Sequence, residues 1–239
     1  MGQLILIRHG QSTWNAQNRF TGWVDVPLSP QGRREAIRAA NLLETSGIVV
    51  QVCYTSLLIR AIETAVICLT EAKGICNGKS PVIKHDENNP DWHGWDHYEG
   101  EETEEVPIFT SMALDERNYG TLQGLNKEQT AARVGTAQVQ LWRRSYSTSP
   151  PGGESLADTA RRTLPFFESR ILAHLQAGES VLVSAHGNSL RSIIMQIDGL
   201  AEAEVPGLEL MTATPIVYDY VDGKWANKQV LDSRSTSRD

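Results

Sequence analysis

Two stretches of the chain share one pattern: residues 3–12 read QLILIRHGQS and residues 181–189 read VLVSAHGNS. Each is an apolar run, typical of a strand covered on both faces, that stops at a His-Gly pair followed by a polar residue and a serine. In an open parallel sheet, ligands bind in the crevice at the carboxyl ends of the strands. The pattern therefore predicts that His9, with Arg8 beside it, and His186 lie together at one edge of a sheet.

Strands and helices alternate along the rest of the chain. Ser29 and Ser155 are expected to cap helices, Pro165 to kink or divide one, and Asp222 with Gly223 to turn a closing hairpin. Further strands are predicted at 52–56, 81–84 and 180–185, and helices at 29–47, 57–72, 126–134, 137–146, 152–178 and 188–199. This alternation indicates a three-layer α/β/α fold, with a mostly parallel sheet and helices on both faces.

Length and composition favour one domain. A chain of 239 residues with 40% apolar content can bury one substantial core. We expect a single catalytic domain over 1–231, with an acidic insertion at about 86–110, and a short flexible tail over 232–239. The sequence shows neither an apolar run long enough for a bilayer nor a secretory leader, so a soluble, cytoplasmic protein is expected. The cysteines lack metal-ligand spacing and are expected to stay reduced; they are Cys53, Cys68 and Cys76.

The acidic residues are concentrated in one segment. The net charge is −7, and residues 86–105 hold nine carboxylates without any Lys or Arg. The rest of the chain therefore carries a net charge of +2, and its arginines are available to an anionic ligand. The sequence shows no broad basic stripe, so neither nucleic acid nor a membrane is an expected partner. The acidic segment is expected to be a solvated loop; the alternative is a gate that folds over the arginines of the site.

Two imidazoles and an arginine at strand ends indicate phosphate chemistry. Gly10 and Gly187 permit tight turns, and the helices that follow present free N–H groups to an anion. A lone histidine more often packs or caps, but two His-Gly turns with an adjoining arginine favour a functional site. A zinc site is disfavoured because neither histidine has an apparent carboxylate partner. The residues alone therefore predict phosphoryl transfer at a cationic crevice, without a metal.

Six motifs carry a specific family resemblance. They are, in chain order, RHGQSTWN (8–15), NRFTGWVDVPLSPQG (18–32), YTSLLIRAIET (54–64), LDERNYGTLQGLNK (114–127), QLWRRSY (140–146) and SAHGNSLR (184–191). Together they resemble the motifs of the cofactor-dependent phosphoglycerate mutases, in the histidine phosphatase superfamily. The resemblance implies interconversion of 3-phosphoglycerate and 2-phosphoglycerate through a phosphohistidine, primed by 2,3-bisphosphoglycerate and without a metal. The expected partner is thus a small phosphorylated anion, and the expected assembly is a monomer or a small homo-oligomer.

The resemblance also implies roles for individual residues. His9 matches the nucleophile, the group of Arg8, Arg60 and His186 matches the donors that stabilise the phosphoryl group, and Glu116 matches the residue that exchanges a proton with the substrate hydroxyl. A general acid must hold its proton near neutral pH, so the pKa of Glu116 is expected to be raised. The residues implied in substrate binding are Ser12, Asn15, Arg19, Thr21, Gly22, Arg117, Tyr119, Lys127, Arg143, Arg144, Gly187 and Asn188.

Departures from the family pattern keep a rival function open. Gln11 stands where the family more often has Glu, which makes the site less negative and is expected to alter the pKa of nearby groups. The carboxyl-terminal tail is short, so water could reach the phosphohistidine. The nearest rival is therefore a phosphatase of the same superfamily acting on a small ester such as phosphoserine. A bisphosphoglycerate synthase is disfavoured because the chain keeps FTGW at 20–23. A non-catalytic metabolite sensor is disfavoured by the presence of both His9 and Glu116.

Overall fold

The computed structural model describes residues 1–84 and 100–232, and its centre is one sheet. The strands are β1 Gly2–Arg8, β2 Val52–Thr55, β3 Ser80–Lys84, β4 Glu105–Thr110, β5 Val181–Ala185, β6 Ile216–Val221 and β7 Lys224–Val230. Their order is β3-β4-β2-β5-β1-β6-β7. The first five in that order are parallel, whereas β6 and β7 are antiparallel to their neighbours. The prediction of a mostly parallel sheet is confirmed.

The helices lie in the connections between the strands. They are α1 Thr13–Ala16, α2 Pro30–Thr45, α3 Ile59–Glu71, α4 Lys127–Val134, α5 Thr136–Arg144, α6 Leu156–Phe166, α7 Leu172–Gln176 and α8 Gly187–Asp198. The last of them, α8, leads from β5 to the antiparallel strand β6. Short 3-10 helices lie at Glu102–Glu104, Met112–Leu114, Gly120–Leu122 and Val205–Gly207. The helix predicted at 152–178 is divided near Pro165, as expected, because a π-helical segment at Phe167–Ile171 separates α6 from α7.

The two faces of the sheet pack against different helices. Successive side chains of a strand point to opposite faces. On β1, Ile5 and Ile7 belong to a buried cluster that includes residues of α2 and α3. Leu4 and Leu6 belong to a second cluster that includes residues of α7 and α8. Helices therefore cover both faces, and the three-layer α/β/α fold is confirmed.

The strand order brings the two His-Gly turns together. β1 pairs directly with β5, and β5 pairs with β2. The N–H of His9 donates to the carbonyl oxygen of Ala185 at 2.9 Å, which extends the β1–β5 ladder beyond the end of β1. His186 follows β5, and α8 begins at the next residue, Gly187. The sheet thus holds His9 and His186 side by side, as predicted.

Local sequence signals are confirmed at three places. The Ser29 side chain accepts the N–H of Gly32, and the Ser155 side chain accepts the N–H of Asp158, so both serines are helix N-caps. The closing hairpin turns at 222–223, where φ is +49° and +80°. Positive φ at both central residues matches the Asp-Gly pair found there.

One strand departs from the sequence prediction. Residues 105–110, assigned above to the end of the acidic insertion, form β4 and pair in parallel with β2 and β3. The run contains Pro107 and follows an acidic stretch, a pattern that indicates a loop. The structure thus adds a strand that the sequence did not predict, within the range given for the insertion. Residues 86–99 lie outside the described residues, so the solvated loop and the gate proposed for 86–105 stay predictions. The insertion at about 86–110 and the division into a domain over 1–231 and a tail over 232–239 stay predictions as well.

Three further features bear on chemistry and location. The three cysteines are buried and free. In the two described ranges, the helices are too short or too polar for any of them to cross a bilayer. Over the same ranges, no cluster of three or more His, Cys, Asp or Glu side chains is arranged to hold a metal ion.

Candidate active site

A pocket of about 190 Å³ opens at the carboxyl ends of the central strands. Fourteen of the seventeen residues predicted for the site line it: Arg8, His9, Asn15, Arg19, Thr21, Gly22, Arg60, Glu116, Tyr119, Lys127, Arg143, Arg144, Gly187 and Asn188. These residues come from strand ends, loops and helices that are far apart in sequence. The fold therefore brings most of the predicted set to one cavity.

The pocket wall is strongly cationic. Its cations are Arg8, Arg19, Arg60, Lys127, Arg143, Arg144 and Arg191, and its carboxylates are Glu116 and Glu209. Burial, together with the nearby Arg143 and Arg8, lowers the pKa of Lys127 to about 8. Buried cations that repel one another in this way are stabilised by a bound anion. The pocket therefore fits a small ligand that carries several negative charges.

His9 has one ring nitrogen free for chemistry. Its Nδ1 lies 2.7 Å from the carbonyl oxygen of Gly10, so Nδ1 carries the proton and Nε2 carries the lone pair. Burial, then Arg60 and Arg8, hold the pKa of His9 well below its ordinary value. The imidazole is therefore neutral near pH 7, the form that attacks phosphorus. Glycine is required at position 10, since a Cβ there would lie 2.4 Å from the carbonyl oxygen of Gly32.

Hydrogen bonds to backbone carbonyls fix the guanidinium groups of Arg8 and Arg60. Arg8 Nη1 donates to the Leu210 carbonyl at 2.8 Å. Arg60 Nη2 and Nη1 donate to the carbonyls of Gly22 (2.8 Å) and Val24 (3.1 Å). The Nε atoms of both arginines are buried and have no hydrogen-bond partner within the described residues. A buried N–H without an acceptor is costly, so these atoms indicate where the oxygens of an anion would sit.

His186 lies beside His9 and is absent from the pocket wall formed by the described residues. The two ring centroids are 4.9 Å apart. His186 Nε2 lies 2.8 Å from Ser56 Oγ, which donates to Asp115 Oδ1 at 2.7 Å. Burial, then Arg60 and His9, lower the pKa of His186 well below its ordinary value. Because the Ser56 hydroxyl gives its proton to Asp115, it accepts the N–H of His186 Nε2, and in the neutral ring Nδ1 carries the lone pair. This Nδ1 is buried without a partner in the described part of the chain, and it becomes a donor to a phosphoryl oxygen only once the ring takes up a proton.

Glu116 is a carboxylate, which corrects the expectation of a raised pKa. Its Oε1 accepts the backbone N–H groups of Arg117 (2.8 Å) and Asn188 (3.2 Å), and the Asn188 side-chain amide at 2.7 Å. Burial alone would raise the pKa of Glu116, but these donors and the charges of Arg117 and Arg60 outweigh it, and the net shift is downward. A carboxyl group that accepts several N–H bonds favours its charged form. In the free protein Glu116 is therefore ready to accept a proton.

Ser12 and Arg117 support the pocket without lining it in the described structure. Ser12 caps α1: its Oγ accepts the Asn15 N–H, and its own N–H donates to Asn15 Oδ1, both at 3.1 Å. Arg117 is fully buried, and its Nη2 donates to the Arg143 carbonyl (2.5 Å) and to Asn188 Oδ1 (3.2 Å). In the described structure these two residues hold Asn15, Arg143 and Asn188. Their direct contacts with a substrate stay a prediction.

Three residues of the pocket wall were missing from the predicted set: Phe20, Arg191 and Glu209. Arg191 follows Asn188 by three positions in α8, and this helical spacing on one face could have revealed it. Its Nε donates to the Leu208 carbonyl at 2.9 Å. Glu209 pairs with Arg144 at 2.5 Å. Glu209 lies in a loop outside the six motifs, so nothing in the sequence pattern predicted that it would line the pocket.

Gln11, the departure from the family pattern, lies away from the pocket wall as described. Its Oε1 accepts a hydrogen bond from Ser29 Oγ at 2.8 Å, and its N–H donates to Glu35 at 2.8 Å. The side chain therefore takes part in the start of α2. Within the described residues, the side-chain amide of Gln11 does not line the pocket that contains His9, Arg8 and Arg60.

Solved structures of low identity share the fold. A mycobacterial glucosyl-3-phosphoglycerate phosphatase superposes with a TM-score of 0.71 at 23% identity, covering 96% of this chain and 98% of that one. A putative alpha-ribazole-5'-P phosphatase from Escherichia coli superposes with a TM-score of 0.68 at 19% identity, covering 98% and 97%. At these identities the similarity supports the fold alone.

Sequence comparison is more specific. The model of the histidine phosphatase superfamily (branch 1) matches residues 4–106 and 96–233. A 2,3-bisphosphoglycerate-dependent phosphoglycerate mutase of Gloeothece citriformis is 59% identical over 97% of this chain and 100% of its own length. The corresponding mutase 1 of Gloeobacter violaceus is 60% identical over 92% and 94%. The chain therefore belongs to the histidine phosphatase superfamily and, within it, to the family of the 2,3-bisphosphoglycerate-dependent phosphoglycerate mutases.

Proposed function

We propose that this protein interconverts 3-phosphoglycerate and 2-phosphoglycerate through a phosphohistidine at His9. The observation that carries the proposal is a neutral His9, with Nε2 free, in a pocket lined by seven cations. A proton acceptor, Glu116, lines the same pocket. The names of the relatives at 59% and 60% identity support the substrate.

The pocket fits 2,3-bisphosphoglycerate as the priming donor. Buried donor atoms without partners in the described residues are spread over the site: Arg8 Nε, Arg60 Nε and Arg144 Nη1. Their separation over several elements suits a ligand with more than one anionic group. When bound, 2,3-bisphosphoglycerate supplies the phosphoryl group that loads His9. Arg8, Arg60 and His186 would hold that group, and Arg143 with Arg144 would bind the carboxylate.

The chemistry of His9 follows from its tautomer. The lone pair on Nε2 forms the N–P bond while the P–O bond to the departing oxygen breaks. Throughout this step, Nδ1–H continues to donate its hydrogen bond to the Gly10 carbonyl. Negative charge is spread over the phosphoryl oxygens in such a transfer. Arg8 and Arg60, already fixed by backbone carbonyls, stabilise that charge without reorganising. The imidazole is therefore both nucleophile and leaving group.

Glu116 moves the proton of the substrate hydroxyl. When that hydroxyl attacks phosphohistidine, the Glu116 carboxylate accepts its proton as the N–P bond breaks. When His9 later takes the phosphoryl group at the other carbon, Glu116 returns the proton to the departing oxygen. Proton and phosphoryl group are thus both conserved over the cycle.

The proposal is tested by measuring both products together. Purified protein, 3-phosphoglycerate and trace 2,3-bisphosphoglycerate are mixed, and 2-phosphoglycerate and inorganic phosphate are followed in parallel, with His9→Gln as control. Rapid isomer formation with little phosphate, absent from the control, is the expected result. Phosphate without isomer would replace the proposal by the phosphatase function. Neither product, with 2,3-bisphosphoglycerate still bound, would replace it by a metabolite sensor.

The expected setting is that of a soluble metabolic enzyme. We propose a cytoplasmic monomer or small homo-oligomer whose partner is a small phosphorylated anion, with neither nucleic acid, membrane nor metal required. The cationic pocket supports the small anionic partner, and the net charge of −7 argues against nucleic acid.

Glu209→Gln is expected to lower the KM for 3-phosphoglycerate. Glu209 pairs with Arg144, which the family resemblance assigns to the substrate carboxylate, so the two carboxylates compete for one guanidinium. The Glu209 side chain is 67% exposed, and exposed pairs are weak, so we expect a fall of about two- to fivefold at low salt. Initial-rate measurements would show the effect shrinking as salt screens the pair.

The matched control for this prediction is Glu202→Gln. Glu202 is an exposed glutamate of the same loop region and is absent from the described pocket wall, so its change removes an equal charge without freeing Arg144. An unchanged KM in Glu209→Gln, or an equal fall in both variants, would contradict the competition.

A further inference from the structure

Arg162, on α6, binds the backbone of the segment that carries Glu116 but is absent from the described pocket wall. Its two Nη atoms donate to four backbone carbonyls at 2.9 to 3.0 Å. The acceptors are the carbonyl oxygens of Met112, Ala113, Asp115 and Glu116. Its Nε and Nη2 also donate to the Glu154 carboxylate at 3.2 and 3.1 Å. All five N–H groups of the guanidinium are therefore engaged.

Further groups converge on the same short segment. The indole Nε1 of Trp23 donates to the Glu116 carbonyl at 2.6 Å, and the Arg162 guanidinium lies 5.9 Å from the Trp23 ring centroid. Glu154 also accepts the N–H of Asn118 at 3.0 Å. The main chain before Glu116 is therefore bound by Arg162, and the main chain after it is bound by Glu154, the ion-pair partner of Arg162.

The segment has little other regular support. Between the end of β4 and α4 it contains only two short 3-10 turns, at Met112–Leu114 and Gly120–Leu122, among the described residues. Carbonyls outside a helix or sheet need other donors. Met112 also accepts the N–H of Asp115, Ala113 the hydroxyl of Thr163 and Glu116 the indole of Trp23, but the Arg162 guanidinium is the donor that all four carbonyls share. Arg162 therefore fixes the carbonyls of 112–116 relative to one another, and with them the main chain that carries the Glu116 carboxylate.

We propose that Arg162 is a positioning residue for Glu116: its guanidinium fixes the 112–116 backbone so that the carboxylate reaches the substrate hydroxyl. The proposal rests on the proposed mutase function, because it assigns Glu116 to proton transfer. Arginine suits the task because its planar fork meets several acceptors in fixed directions, whereas a lysine ammonium has three donors and no preferred plane. A displacement of about 1 Å at a catalytic group can cost about 10²-fold in rate.

The test compares Arg162→Lys with Arg161→Lys. Arg161 is the neighbouring residue, its side chain is 75% exposed, and it pairs with Asp158 at 2.8 Å on the helix surface. Two reactions are measured for each variant: isomerisation of 3-phosphoglycerate, which needs proton transfer, and the single-turnover burst of 4-nitrophenolate from 4-nitrophenyl phosphate. The second reaction loads His9 but releases a stable anion that needs no proton.

We expect Arg162→Lys to lower the kcat of isomerisation by about 10- to 100-fold and to change the burst rate by less than about threefold. The Asp115 carboxylate keeps its hydrogen bonds from Ser56 and Leu57, so the position of the groups around His9 should change little. Arg161→Lys should leave both reactions unchanged. In a Glu116→Gln background, Arg162→Lys should have less than about a threefold effect, because two residues that act through one step are not additive.

Other outcomes would overturn the proposal. Equal losses in isomerisation and burst, or an undiminished loss in the Glu116→Gln background, would mean that Arg162 only stabilises the fold. If Arg162→Lys does not fold, Trp23→Phe removes a donor to the same carbonyl, and it must reduce isomerisation selectively. A wild-type protein that shows the burst but no isomerisation would instead refute the mutase function on which the proposal rests.

Discussion

Replacing His9 by Gln is expected to lower the isomerisation of 3-phosphoglycerate by at least about 10⁴-fold, because the group that accepts the phosphoryl is removed. Gln is close in size and can still donate to the Gly10 carbonyl, so the pocket should keep its shape. The remaining arginines would bind the phosphate group but have no nucleophile to offer it. The loss should therefore appear in kcat far more than in KM.

The measurement that isolates His9 is the transfer of label from 2,3-[³²P]bisphosphoglycerate to the protein. Wild-type protein should acquire acid-labile, base-stable phosphate, and His9→Gln should acquire none. His174→Gln is the matched control: His174 pairs with Glu179 at 2.5 Å and lies outside the described pocket wall. Labelling of His9→Gln at the wild-type rate would place the phosphoryl group on another residue and refute the mechanism.

The core of the fold could be read from the sequence because its signals are local. β1 and β5 are apolar runs without alternation, and each ends at a His-Gly pair, so both their burial and their chain direction were visible. β4 was not visible, although it lies between β3 and β2 in the sheet. Pro107, opposite Val82 in the ladder, and the acidic residues before the strand suppress the strand pattern.

The site was predictable as a set of residues but less so in its detailed geometry. The predicted set includes fourteen residues of the pocket wall, but it also includes Arg117, which is absent from the described wall and donates to the Arg143 carbonyl. Adjacent residues point in different directions, and only the folded loop decides which one faces the ligand. The lowered pKa of Glu116 likewise depends on N–H donors from Asn188, far away in sequence. The spacing of residues along the sequence does not predict such contacts, because the folded chain brings the two residues together.

Glu116→Gln is expected to lower the kcat of isomerisation by about 10²- to 10⁴-fold, since an amide cannot take up the hydroxyl proton. The change is nearly isosteric, and the Gln oxygen can still accept the N–H groups of Arg117 and Asn188. Phosphoryl transfer from 4-nitrophenyl phosphate to His9 should stay within about threefold of wild type, because the departing anion needs no proton. Equal losses in the two reactions would contradict a role in proton transfer.

The pH dependence of that loss tests the charge state of Glu116. The ratio of wild-type to Glu116→Gln kcat/KM, measured with phosphorylated protein, cancels the ionisation of the substrate and of every group the two proteins share. Burial raises the pKa of Glu116, but hydrogen bonds and nearby cations lower it by a larger amount. The carboxylate should therefore persist below the ordinary glutamate pKa of 4.5. The ratio should therefore stay constant from about pH 8 to about pH 5.5 and fall only as the carboxylate gains its proton. A ratio that declines between about pH 7 and about pH 6 would mean a raised pKa, and the hydrogen bonds from Arg117 and Asn188 would then be too weak to offset burial.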